Sequence, residues 1–238
     1  MRVKALIWIA MPRLTCIKHW FTLFTLALAG LWLTVGSAMA QQTAKLLDKP
    51  QTTIIIDSSG SMWGELAGEP SKLVALRSAT NDLINRWKFT DSHLGLASFG
   101  HRRQGDCNDF EIVVENSGTP ADLSRAVSRL RGVGRTVIGS TLEAVADSLV
   151  TAPAPSSIIL VADGPENCKR DICALADKIA FQGNIDIHVL ALAMKDEDAE
   201  TLRCVPEKTG GLFLRANSLS ALRGSMLRLQ SFIEAKQV

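Results

Sequence analysis

Two short segments hold the residues whose types and spacing could do chemistry. The run Asp57-Ser58-Ser59-Gly60-Ser61-Met62 sets a carboxylate and two hydroxyls at alternate positions of one turn. Asp57, Ser59 and Ser61 then aim at a common point, with Gly60 expected to let the backbone bend between them. A second carboxylate, Asp163, stands in Val161-Ala162-Asp163-Gly164. Few carboxylates among several hydroxyls make a set of hard oxygen donors. Such a set suits magnesium that keeps part of its water shell, or manganese. The plain alternative for the first segment is a capped turn ahead of a helix. Enzymatic readings are poorly served. A phosphoryl-accepting aspartate at a strand end wants a second acid two residues on, where this chain has Ser59. A serine hydrolase wants Gly-x-Ser-x-Gly with a partner histidine, and Ser61 has Gly60 directly before it. No catalysis is expected.

Both carboxylates are carried by strands. Thr52–Asp57 (TTIIID) and Ser157–Asp163 (SIILVAD) are short, continuous apolar runs rich in β-branched residues. That is the pattern of strands covered on both faces. Each run ends in its aspartate, so both acids emerge at one edge of the sheet, where α/β folds bind ligands. Ser71–Trp87 has Leu73, Leu76, Leu83, Ile84 and Trp87 at helical spacing. Leu94–Gly100 and Phe110–Asn116 read as strands joined by a loop too short for a crossover helix, hence an antiparallel hairpin. Thr119-Pro120-Ala121-Asp122 combines a cap, a first-turn proline and an acid three residues on, and opens a helix ending near Arg131-Gly132. The loop Gly132–Gly139 leads to a helix at about Ser140–Val150. Helix Asp171–Phe181, strand Ile185–Leu192, helix Glu197–Lys208, strand Gly211–Arg215 and helix Leu219–Ala235 follow. The alternation predicts an α/β, doubly wound, mostly parallel sheet with one antiparallel edge strand. His188, inside a strand, reads as a core histidine.

The first forty residues are of a different character. They carry Arg2, Lys4, Arg13 and Lys18 and no acid, then an uncharged run Phe21–Val35, then Ala38-Met39-Ala40. This is the pattern of a secretory signal peptide cut before Gln41, with an uncleaved membrane anchor as the rival. The expected organisation is a leader over 1–40, a polar tether over 41–51 and one domain over 52–238. Either form of leader puts the domain outside the cytoplasm, periplasmic or secreted. The full chain has 26 basic and 24 acidic residues; without the leader's basic residues the balance turns net acidic. No basic patch is interleaved with aromatics, which argues against nucleic acid. After cleavage no membrane contact is expected. Cys16 leaves with the leader, and Cys107, Cys168, Cys173 and Cys204 remain. An even number in an oxidising compartment predicts two disulfides.

Asp-Ser-Ser-Gly-Ser-Met resembles the D-x-S-x-S motif of von Willebrand factor A domains, their metal-ion-dependent adhesion site. GRTVIGSTLEAV is similar to the family's second metal loop, with Thr136 on its threonine. VADG is similar to the third, with Asp163 on its aspartate. The resemblance runs from about Thr52 to Ala235. It is strongest to a bacterial exported subgroup, through Asp57–Gly64, Gly100–Cys107, Glu166-Asn167-Cys168 and Cys204–Gly211. Val137, Ala162 and Pro165 depart from the family's usual pattern. The resemblance implies a Rossmann-like fold and a magnesium or manganese ion on Asp57, Ser59, Ser61, Thr136 and Asp163. It also implies a protein partner whose acidic side chain completes the coordination. A metal-independent scaffold is the alternative.

Trp63 is a candidate partner anchor beside the motif, and otherwise packs over the loop. His101, Arg102 and Arg103 follow a strand at the same edge and could greet an acidic partner, or pair with Asp106 and Asp109. Four cysteines allow three pairings. Cys107 and Cys168 belong near the metal edge, and Cys173 and Cys204 on helices beside neighbouring strands, which favours Cys107–Cys168 with Cys173–Cys204.

Overall fold

The structure, a computed structural model, describes residues 49–152 and 154–236. The expected leader and most of the tether lie outside the described residues. The strands are β1 (Gln51–Asp57), β2 (His93–Phe99), β3 (Phe110–Val114), β4 (Ser156–Ala162), β5 (Ile185–Leu192) and β6 (Phe213–Ala216). The helices are α1 (Lys72–Arg86), α2 (Pro120–Arg129), α3 (Ile138–Leu149), α4 (Ile172–Gln182), α5 (Asp196–Thr209) and α6 (Leu219–Lys236). The strand order is β3-β2-β1-β4-β5-β6. β1 lies parallel between β2 and β4, β5 and β6 continue the parallel set, and β3 alone is antiparallel, at the edge beyond β2. This is the expected doubly wound α/β sheet. Among the described residues, no helix is long and apolar enough to cross a membrane.

Alternate side chains of the central strands go to opposite layers. Ile54, Ile56, Leu94, Leu96, Ile159 and Val161 face one core with Leu73, Leu76 and Leu83 of α1 and Leu222 and Leu229 of α6. Ile55, Ala97, Phe99, Ile158, Leu160 and Val189 face the other with Leu142 and Val145 of α3, Ile179 of α4 and Leu202 of α5. Every residue of β1 and β4 is buried. Both layers therefore clamp the two strands that carry Asp57 and Asp163.

Local chemistry sets the element ends. The Thr119 hydroxyl accepts from the Asp122 backbone N–H while the Asp122 carboxylate reaches back to Thr119, the expected reciprocal cap. The Ser71 hydroxyl accepts from Val74 at the start of α1. β6 begins at Phe213, two residues later than the pattern suggests. The backbone N–H of Gly211 is committed to Pro206 O at 3.0 Å, closing α5, so it is not free to extend the ladder.

His188 is fully buried in β5. Its Nδ1 accepts from Leu212 N at 2.9 Å, and its ring meets Phe232 edge-on at 5.6 Å. It is a core histidine, as its position in the strand suggests. Burial pulls its pKa down to about 4, since a proton on Nδ1 would both charge the core and break the Leu212 bond. The unfolded chain takes up that proton near 6.5. Stability is therefore lost as pH falls from 6.5 towards 4, by up to about 3 kcal/mol. Urea denaturation near neutrality and at about pH 4.5 is the check, with His188→Asn keeping an acceptor towards Leu212. The variant should lose about 2 kcal/mol less than wild type on acidification; equal losses would show that the imidazole does not titrate in this window.

Candidate metal centre

Asp57 closes β1 with no exposure to solvent. Its Oδ1 accepts from Ser59 N at 2.7 Å, which folds the following turn back over the strand end. Its Oδ2 accepts from Asp163 N at 3.3 Å, which ties that turn to the end of β4. Burial pushes the Asp57 carboxyl up to about 7, with the Asp163 charge adding to the rise. The Asp163 side chain is equally hidden. Its Oδ1 accepts from Ser61 Oγ at 2.6 Å, and the Ser59 and Ser61 hydroxyls lie 3.0 Å apart. Four of the five expected residues thus form one hydrogen-bonded chain.

Thr136 joins them from the second loop. It is buried, and its Oγ1 lies 3.9 Å from the point a Cβ on Gly164 would occupy. Asn167 holds it there: Thr136 N donates to Asn167 Oδ1 and Asn167 N donates to Thr136 O, both at 3.1 Å. Asp57, Ser59, Ser61, Thr136 and Asp163 all stand at the carboxyl edge of β1 and β4, the point where the strand order reverses. Three hydroxyls and two carboxylates are hard oxygen donors, and two buried acids forced together want a cation. The residues fit a divalent metal of the magnesium class.

The loops meet backbone to backbone. Ser59 bridges to Gly134, and Gly134 N donates to Gly100 O at 2.7 Å. Gly100 has φ of +68°, and a Cβ there would lie 2.7 Å from Arg135 O. Gly60 departs from expectation. It is not among the residues with positive φ, and a Cβ on it would come no nearer than 3.9 Å to its surroundings. The bend comes instead from a 3-10 turn over Gly60–Trp63, closed by Met62 N to Ser59 O at 3.1 Å and Gly64 N to Ser61 O at 2.8 Å.

Further groups brace the edge. The residue before α3, Val137, offers no capping side chain. Glu166 serves instead, with Oε2 accepting from Gly139 N at 2.7 Å, an anion at a helix N-terminus. Cys107–Cys168 joins the hairpin loop to the third loop, and Cys173–Cys204 joins α4 to α5, the favoured pairing. The Cys107–Cys168 bridge sits beside Asn167, which positions Thr136.

The partner candidates are placed as follows. Trp63 is 55% exposed, yet its Nε1 donates to Gly132 O at 2.6 Å, so the ring also latches the first loop to the second. Arg102 pairs with Asp109 and Glu111, and Arg103 with Asp106. Buried Asp109 also accepts from Arg102 N and Arg103 N, each at 2.8 Å. His101 lies 3.5 Å from Glu111, and burial holds its pKa below the usual range. Lys72, at the start of α1, was not anticipated from the sequence: its Nζ lies 2.8 Å from Asp163 Oδ2.

The cluster of oxygen donors sits at the switch point of a doubly wound sheet, the place where such folds bind ligands. Residues 52–166 match the family model of the von Willebrand factor type A domain. Solved structures share the fold. They include the conserved hypothetical protein BatB from Bacteroides thetaiotaomicron (TM-score 0.61, 15% identity, 78% of this chain and 98% of that one). The vWF domain of the type V pili tip protein Mfa5 from Porphyromonas gingivalis is another (0.64, 11%, 80% and 96%). A third is proximal thread matrix protein 1 from the mussel byssus with a zinc-occupied MIDAS motif (0.60, 15%, 77% and 45%). This chain spans under half the length of that mussel protein. No curated protein matches the chain.

Two outcomes follow for the loops. Gly100→Ala should cost about 2 kcal/mol or more in urea denaturation, through positive φ and the clash with Arg135 O, while Gly60→Ala should stay within about 0.5 kcal/mol. Equal effects would contradict the loop packing. Removing the Cys107–Cys168 bridge by paired Cys→Ser changes should lower stability by roughly 2–4 kcal/mol, seen as a lower urea midpoint.

Proposed function

We propose that this protein is an exported binding module. It holds magnesium or manganese on Asp57, Ser59, Ser61, Thr136 and Asp163 and through it grips an acidic side chain of a protein partner. The observation that carries this reading is the Asp57–Ser59–Ser61–Asp163 chain, two buried acids joined through the Ser59 backbone N–H and the Ser59 and Ser61 hydroxyls at the sheet edge where α/β folds bind ligands.

The division of labour follows from the donor types. Asp57 and Asp163 contribute the negative charge that makes a cation favourable there. Ser59, Ser61 and Thr136 contribute oxygens without charge. When bound, the cation supplies a Lewis-acidic centre that two carboxylates only just balance, so an incoming partner carboxylate is still attracted. A cage of four or five acids would remove that attraction. No bond is broken, and the protein is not an enzyme. Trp63 and the His101–Arg103 loop flank the site and would form the rim against the partner.

Export rests on the leader pattern and is supported by the two disulfides, which persist in oxidising compartments. The protein's structural neighbours include the vWF domain of a pilus tip protein and a byssus thread matrix protein with a zinc-occupied MIDAS motif. The second reading, a scaffold that ignores metal, is favoured by the Lys72–Asp163 ion pair, which gives Asp163 a countercharge from within the chain.

Capture of extracytoplasmic proteins on this domain, in magnesium and in EDTA, separates the two. A partner held by wild type only in magnesium, and lost in Asp163→Ala, is the expected outcome. Asp163→Ala should also weaken manganese binding by more than about tenfold in calorimetry. A partner retained in every lane would establish the metal-independent scaffold.

A further inference from the structure

Lys72 is the first residue of α1, and its position is electrostatically unfavourable in isolation. A cation at a helix N-terminus opposes the helix dipole, and the first turn of α1 holds no acid to offset it. The side chain is nevertheless drawn inward, with 15% exposure, and its Nζ reaches Asp163 Oδ2 at 2.8 Å. Its course is set at both ends. Lys72 N donates to Gly64 O at 2.8 Å. The stem passes Gly64, where a Cβ would lie 3.6 Å from Lys72 Cε and 3.8 Å from Nζ. Among the described residues, Lys72 is the only cation within ion-pair distance of Asp57 or Asp163.

The oxygens around it are all engaged. Asp163 gives Oδ1 to Ser61 and Oδ2 to Lys72, and Ser61 faces Ser59. A divalent ion on these groups has to draw on the same Asp163 carboxylate that Lys72 already neutralises. Three positive charges would then face two negative ones.

We propose that Lys72 is an affinity-setting residue of this site: its ammonium competes with the divalent cation for Asp163 and swings out as the metal enters. This rests on the metal-binding reading given above. The ammonium supplies the countercharge that lets Asp163 be buried beside Asp57. The competition also makes the site selective for charge, because an ion of single charge gains little by displacing an ammonium of equal charge.

The test is manganese titration by calorimetry of the purified protein, wild type against Lys72→Met, whose unbranched stem fills the same course without charge. Lys72→Gln is run alongside, so that the result stands if Lys72→Met folds poorly. The neutral variants should bind manganese at least about tenfold more tightly, the scale on which a neighbouring charge shifts such an equilibrium. Thermal denaturation with and without manganese gives a second readout, since a merely structural lysine would lower both melting points alike. In EDTA the variants should melt below wild type, because Asp163 has lost its countercharge. In saturating manganese the gap should close or reverse, since tighter binding stabilises by mass action. Wild type that binds manganese while both variants bind equally or more weakly would overturn the role of Lys72 and leave the metal reading standing. No binding by any of the three proteins would overturn both.

Discussion

A carboxylate taken out of water needs a proton, a countercharge or a full set of donors, and this domain takes two of them out of water side by side. Asp57 ends β1 and Asp163 directly follows β4, neighbouring parallel strands whose every residue is buried, so neither can retreat to solvent. Much of the surrounding architecture follows from keeping them tolerable. The turn after β1 curls so that Ser59 N can reach Asp57. The hydroxyl of Ser61 is spent on Asp163. A lysine is drawn in from the wrong end of a helix. Around these contacts three loops pack with glycine backbones in van der Waals contact, which leaves little freedom for the donors to drift apart.

The supports are arranged in depth. Asn167 holds Thr136, Glu166 caps α3, and the bridge at Cys168 fixes the segment that carries both. Asp109 does the same for the neighbouring hairpin loop by gathering two backbone N–H groups and the Arg102 side chain. The arginines beside the site are thus largely occupied with shaping their own loop.

Much of this was legible in the chain because the elements are locally consistent. TTIIID and SIILVAD can hardly be anything but covered strands, and Thr119-Pro120-Ala121-Asp122 announces its helix by cap chemistry alone. The acids at strand ends and the alternate serines therefore marked the site. What stayed hidden depends on distance in sequence. Lys72 and Asp163 are 91 positions apart, and nothing in the composition of α1 says that its first side chain turns inward. Trp63 reads as a partner anchor or as a ring packed over its loop, and the sequence does not show that Gly132 O accepts from its indole N–H. Gly60 looks like the residue that permits the turn, yet Gly100, in a different loop, is the one whose backbone requires glycine.

The order of the bridges along the chain has a consequence for how the molecule is made. Downstream of Cys16 the cysteines pair first with second and third with fourth, Cys107 with Cys168 and Cys173 with Cys204. As the chain emerges amino end first, each unpaired thiol meets its native partner before any competitor has appeared. Cys173 follows Cys168 by only a few residues, so a delay in closing the first bridge is the one opening for a scrambled product. An oxidant acting promptly on the nascent chain would produce the native pattern by sequence alone, with no need for later reshuffling.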